Sequence, residues 1–298
     1  MKTMKALVKR NFTLFFKDKG VFFVSLITPL ILLVLYVTFL GDVYRDVFLT
    51  ALPEALGIPE KVINGLVGGQ LLSSLLAVSC VTVSFCANML MVADKATGVI
   101  RDLTVTPVKP GTLAISYYLA TLGSALTVNL VALAAGLGYL GVTGWYLSVG
   151  DVARMVLDVV LLVMFGTALS SVINHFLRSQ GQISAVGTIV SSGYGFICGA
   201  YMPISNFAPG LQKVLSFLPG TYGTALLRSH AMNGAFLELE KRNVPEAVLN
   251  DLRSGVDCSI EFFGSPVPAG AMYTVLIGAV VLMMAVYILL SGSGRKQK

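Results

Sequence analysis

The sequence predicts an all-α membrane protein. It should have six transmembrane helices, an N-terminal amphipathic interfacial helix and a re-entrant helical segment before the last span. Three observations carry that expectation. Charged residues are 12% of the 298 residues and the mean hydropathy is +0.81, whereas a soluble chain has roughly 25% charge. The apolar residues gather in uncharged runs of about 20, the length a helix needs to cross roughly 30 Å of hydrocarbon. The basic residues concentrate in alternate connections. The same figures exclude a disordered chain, a collagen and a basic nucleic-acid module, so no nucleic-acid partner is expected.

The first segment, residues 1–20, places Met4, Leu7, Val8, Phe12 and Phe15 at helical spacing, with Lys2, Lys5, Lys9 and Arg10 opposite. That pattern fits a helix lying on a membrane surface with its basic side toward anionic headgroups. The six spans follow as Val21–Leu40, Leu71–Val92, Thr112–Leu140, Val152–Asn174, Ile183–Tyr201 and Ala271–Leu290. Pro29 inside the first is tolerable in a membrane helix. The apolar run of that span is too long for a signal peptide, and no small-x-small cleavage site follows it. Residues 202–270 begin with an apolar stretch broken by Pro203, Pro209 and Pro219. It suits a short helix at about Pro209–Phe217 that re-enters the membrane under cover of protein. Residues 238–261 are polar and acid-rich, and read as an external excursion.

Of the 21 Lys and Arg residues, 13 fall in 1–20, 93–111, 175–182 and 291–298. The positive-inside rule then places both termini in the cytoplasm. The net charge of +6 is mostly this topology signal. Cys80, Cys86 and Cys198 lie in apolar runs and Cys258 in a polar one, so neither a disulfide framework nor a metal site is expected. With only His175 and His230, a multi-histidine site is also out of reach. The sequence lacks GxxxxGK[ST], GxSxG and HExxH, so no catalytic residue and no ATP site are expected. Asp158 is the one acid within a span, and Arg154 four residues earlier shares its helix face. This pair is either functional or a simple anchor at the interface. Ser191, Gly195 and Gly199, and separately Gly65 and Gly69, form small-residue stripes for close helix contact, within one chain or across a dimer.

The most informative connection is residues 93–111. Val99, Ile100 and Leu103 share one face of a short helix beside Arg101 and Asp102, and need something to pack on. Here the sequence resembles the type 2 ABC transporter permeases. Asp94, Gly98, Ile100, Arg101, Asp102, Leu103, Thr106 and Pro107 match that family's acidic residue, Gly-Thr-(Leu)-Glu-Arg-Leu-like run and Thr-Pro after the second span. Val99 replaces the usual Thr, and Arg-Asp replaces the common Glu-Arg order. A second match runs through Phe176-Leu177-Arg178-Ser179, Gly199-Ala200-Tyr201-Met202-Pro203, Phe217-Leu218-Pro219 and Tyr222.

The resemblance implies a permease domain over 21–298, with 93–111 as its cytoplasmic coupling loop. It implies a transport subunit of an ABC exporter in a prokaryotic inner or plasma membrane. ATP and Mg would sit on a separate ATP-binding subunit, present in two copies, and the second permease half would be an identical chain amid membrane lipid. Gly98, Val99, Ile100, Arg101, Asp102, Leu103 and Pro107 would contact the ATPase. The substrate would be a lipophilic or amphipathic molecule, drug-like or lipid-like. Phe85, Met89, Tyr194 and Phe196 are candidates for its path, although such residues also serve as ordinary helix contacts. Pro203, Pro209 and Pro219 are candidates for an outer gate. The alternatives are an ATP-independent channel or secondary transporter, and a polysaccharide or lipid-linked glycan exporter of the same family.

Overall fold

A computed structural model of the chain describes residues 2–52, 57–105 and 108–293. Helix α1 (Lys2–Lys17) ends at Asp18, whose carboxylate accepts the Val21 N–H at 3.1 Å and so caps α2 (Lys19–Leu35). A π-helical turn (Tyr36–Leu40) joins α2 to α3 (Gly41–Ala51) without a break. The first span is therefore longer than Val21–Leu40: an unbroken helix covers Lys19–Ala51. At 1.5 Å per residue its 33 residues reach about 50 Å, more than a bilayer core.

The central element is α4 (Glu60–Ala96), 37 residues packed on by α2, α3, α6, α7, α8 and α10. It is apolar almost all round, as a helix surrounded by protein must be. Small residues let its neighbours approach. A Cβ on Gly69 would lie 2.8 Å from the Ala231 carbonyl oxygen, and one on Gly166 would lie 2.9 Å from the Cys80 carbonyl oxygen. The Gly65 and Gly69 stripe thus serves packing within the chain.

A short helix, α5 (Val99–Val105), follows α4, and Gly98 makes the turn between them with φ +84°. The next helices are α6 (Pro110–Thr143), α7 (Val149–Phe176) and α8 (Gln180–Ile197). Ser148 and Asp151 form a reciprocal cap on α7, and Ser179 and Gln182 form another on α8. The chain continues through α9 (Pro209–Leu215), α10 (Pro219–Lys241), α11 (Glu246–Gly255), a two-stranded hairpin (β1 Glu261–Phe262, β2 Ser265–Pro266) and α12 (Ala269–Ser293).

Five helices among the described residues are long and apolar enough to cross a membrane: Lys19–Ala51, α4, α6, α7 and residues Ala269–Gly292 of α12. The remaining expected span, the fifth at Ile183–Tyr201, corresponds to α8. It stops at Ile197 after 18 residues, about 27 Å, and is rich in Gly and Ser. The segment before the last span also differs from the expectation. The helix foreseen at Pro209–Phe217 is α9, but α10 was not foreseen; it packs on α4, α7 and α12. Within the acid-rich 238–261 stretch, α10 ends at Lys241 and α11 occupies Glu246–Gly255. With α3, the start of α4 and the end of α10, α11 forms a cap at the opposite end from α1 and α5. Arg45 fastens α3 to α4 there through Asn64 (3.1 Å) and Glu60.

Candidate coupling and transport sites

At the α5 end, polar side chains tie four helices together. Arg10 of α1 donates to both carboxylate oxygens of Asp94 on α4, at 2.8 and 3.2 Å. The Tyr117 hydroxyl of α6 donates to the same carboxylate at 2.5 Å. Asp94 is buried, so its charge requires these partners. Next to it, the Lys95 ammonium donates to the last carbonyls of α7, Asn174 at 3.1 Å and His175 at 2.7 Å. A cation at a helix C-terminus satisfies carbonyls that the helix cannot. The expected basic face of α1 therefore loses Arg10, which turns inward, while Lys2, Lys5 and Lys9 stay exposed.

Helix α5 begins four residues after Lys95. Its Val99 and Ile100 are partly buried, and Leu103 packs against a buried cluster that includes Leu7, Met91 and Tyr117. Val105 is 87% exposed. Of the three expected anchors, Leu103 is engaged within the chain, and Val105 adds apolar surface that the sequence reading did not include. Gly98, Arg101 and Asp102 are placed on or beside this helix, whereas Thr106 and Pro107 lie outside the described residues.

An apolar cleft of about 1270 Å³ opens between α2, α3, α4 and α8. Met89 and Phe196 line it, as does Pro203. Phe85 and Tyr194 do not: both are buried in the main core, where Tyr194 packs against Gly220. Bulky rings at helix crossings fill volume, and sequence position alone did not separate the two cases. Pro209 and Pro219 are the first residues of α9 and α10, a place where the missing N–H costs nothing.

The Arg154/Asp158 pair is corrected by the geometry. Arg154 approaches Asp151 at 3.7 Å and is largely exposed. Asp158 points the other way, accepting from Tyr273 of α12 at 2.7 Å and meeting His230 Nδ1 of α10 at 2.6 Å. A turn away, Asn233 donates to Asp151 at 2.8 Å. Below the cap lies Arg228, with no exposed side-chain surface. Its guanidinium donates to the Val256 and Gly199 carbonyls (2.8 and 2.9 Å), to Ser74 Oγ (3.1 Å) and to Asp257 (3.4 Å). Asp257 also accepts the N–H groups of Ile204 and Ser205. Burial raises the Asp257 carboxyl above its ordinary range, and Arg228 pulls against that rise.

The family model for the ABC-2 type transporter matches residues 2–231. The chain belongs to the ABC-2 type transporter family. It is a permease component with several membrane-spanning helices, and not the ATP-binding subunit. A search of curated proteins gave no match. The matched region of this ABC-2 chain includes α1, Asp94, α5, α6 and α7, so the contacts of Asp94 and Lys95 lie within the residues that the family model covers. No group of three or more His, Cys, Asp or Glu arranged to hold a metal occurs among the described residues. Sequence reasoning passed over Arg10, Tyr117, Arg228, Asp257, His230 and Tyr273. For Arg228 and His230 a signal existed: both interrupt the small, apolar run GTYGTALLRSHAMNGAF, where an ion could only be buried and paired.

Proposed function

We propose that this chain is one half of the membrane channel of an ATP-driven exporter. ATP and Mg reside on two copies of a separate ATP-binding subunit, which docks on α5. The observation that carries this reading is the place of α5. It follows directly on a polar latch that joins α1, α4, α6 and α7, and it carries the partly buried Val99 and Ile100 and the exposed Val105. A push on α5 would thus reach four helices through Asp94 and Lys95 without passing through flexible chain. Gly98, Arg101, Asp102 and Pro107 complete the docking segment in this reading, and both termini lie in the cytoplasm with it.

The rest of the reading concerns the route. The apolar cleft suits a lipophilic or amphipathic substrate drawn from the inner leaflet, with Met89 and Phe196 on its wall. Helix α8 turns Ser184, Thr188 and Ser192 outward along the cleft, and such small residues let another helix approach closely. A second copy of the chain covering α8 and the cleft would give a homodimer with the route between halves. In this arrangement α8 and the turn after it make the sixth span. The α9–α10 junction re-enters from the cap side, because Gly220 at the start of α10 meets Phe165 well inside α7. Pro203, Pro209 and Pro219 then shape the outer gate.

The test is co-purification with a co-expressed ABC ATP-binding subunit. Ile100→Asp and Val105→Asp should each lose the partner while the chain still inserts and elutes as a single species. Retention of the partner by both variants overturns the docking assignment. ATP-dependent export by the reconstituted pair supports the exporter, and equal flux without nucleotide refutes it.

A further inference from the structure

We propose that the cap holds a site for the headgroup of a zwitterionic phospholipid from the adjacent leaflet. A cavity of about 440 Å³ lies between α9, the end of α11 and the hairpin, within the roughly 300–1,000 Å³ of small-ligand pockets. It is separate from the apolar cleft, and none of the expected coupling or path residues lines it. Hydroxyls are dense on its wall: Ser205, Ser216, Thr221, Ser254 and Ser259. It carries one cation, Lys213, and one acid at the rim, Glu261. Neither makes an ion pair among the described residues, and the Lys213 ammonium stands 5.8 Å from the centre of the Phe263 ring. At the floor Asp257 is already engaged by Arg228 and two backbone N–H groups.

The rim is apolar and exposed. Phe217 packs edge-on against Phe262 and Phe263, with centroids at 5.2 and 6.0 Å, yet Phe217 and Phe263 remain 61% and 62% exposed. Val214 of α9 is 60% exposed beside them. Phe263 also holds φ +51°, a left-handed conformation that non-glycine residues adopt at a cost. The hairpin thus keeps an aromatic ring facing out. Its location points to lipid as what covers it. Ile260, at the base of the hairpin, packs with Tyr222 and with Met272 in the first turn of α12. The aromatic rim therefore lies beside the first turn of a membrane span.

The order of the groups fits one ligand class. Acyl chains would lie along the Phe217, Phe263 and Val214 rim. The phosphate would meet Lys213 at the mouth and accept the one O–H that the Ser254–Ser259 pair leaves free, since Ser205, Ser216 and Thr221 already donate to backbone carbonyls. The ammonium, farther from the glycerol, would reach Glu261. An anionic lipid satisfies Lys213 but leaves Glu261 without a partner.

The experiment is native mass spectrometry of the delipidated full chain. It is offered an equimolar mixture of phosphatidylethanolamine, phosphatidylcholine and phosphatidylglycerol, with free phosphoethanolamine as competitor. The wild type should retain one zwitterionic lipid in preference to phosphatidylglycerol. Lys213→Glu and Glu261→Lys should each lower that retention at least tenfold, and Lys213→Arg should keep it. If Lys213→Glu does not fold, Lys213→Gln and Glu261→Gln give the same comparison with smaller changes. Equal retention by wild type and variants, a preference for phosphatidylglycerol, or displacement by free phosphoethanolamine at matching concentration overturns the proposal. ATPase docking plays no part in the readout, so the two readings fail separately.

Discussion

Replacing Arg228 with Met tests whether the cap is fastened through a buried ion. The side chain has no exposed surface, so Met fills most of its volume and removes only its charge and donors. The variant loses the hydrogen bonds to Val256, Gly199 and Ser74, which link the cap, the α8 turn and α4. It also strands the Asp257 carboxylate, buried with only the Ile204 and Ser205 N–H groups. Removing one partner of a buried pair costs about 3–5 kcal/mol, because the remaining charge has no solvent to return to. The second change, Asp257→Asn, removes that stranded charge while keeping an acceptor for the Ile204 N–H. The double variant should therefore recover roughly half the loss, a departure from additivity of more than 1 kcal/mol. Equilibrium unfolding in mixed micelles measures both quantities, and limited proteolysis within 238–261 reports on the cap itself. A loss below about 1 kcal/mol for Arg228→Met, or strict additivity in the double variant, refutes the argument.

Gly69→Ala should destabilise by about 1–3 kcal/mol, because its Cβ meets the Ala231 carbonyl oxygen and Met232 at 2.8 Å. Gly138→Ala, with nothing within 4 Å, should be neutral or gain up to about 1 kcal/mol from helix propensity; equal effects in unfolding assays contradict the close α4–α10 contact. Cys258 should label slowly with maleimide in the folded chain, since burial pushes its thiol up to about 12. Raising the pH from 8 to 10 should speed its labelling about 100-fold, a slope read by peptide mapping, and fast labelling at pH 7 would show the thiol to be open. Asp94→Ala should free Arg10 and Tyr117 and raise hydrogen exchange in α1 at least tenfold. The direct stability cost should stay small because Arg10 is 31% exposed. Unchanged exchange in α1 would mean that Asp94 does not hold it.

Much of the fold could be read from hydropathy, because a membrane span announces itself by a long uncharged run. The boundaries failed where protein rather than lipid covers the helix. The first span and α4 run past their apolar windows because Asp42, Arg45 and Asp46 lie on cap residues, where charge costs little. Helix α10 escaped notice for the opposite reason: its Gly and Thr residues and its Arg228 and His230 lower its hydropathy, yet they are what let it pack against α4 and α7. The same limit applies to the sites. Periodicity identified the α5 helix from Val99, Ile100 and Leu103. It could not show that Leu103 turns inward, or that Arg154 and Asp158 pair with different partners, since i,i+4 spacing records only a shared helix face.

The distribution of ions suggests how motion divides within the molecule. On the α5 side, Asp94 is buried but its partner Arg10 is 31% exposed, so one side of this contact is open to water. On the cap side, Arg228 and Asp257 are desolvated and tied to four segments, and Asp158 holds α10 and α12 to α7. A charge pair open to water exchanges its partners for solvent readily, whereas a buried pair does not. A force delivered at α5 would therefore shift α1 and the α5-side ends of α4, α6 and α7 before it loosened the cap. The cap-side ends would then serve as the pivot, with the compliance beside the proposed docking helix, where the proposed ATP-driven partner would act.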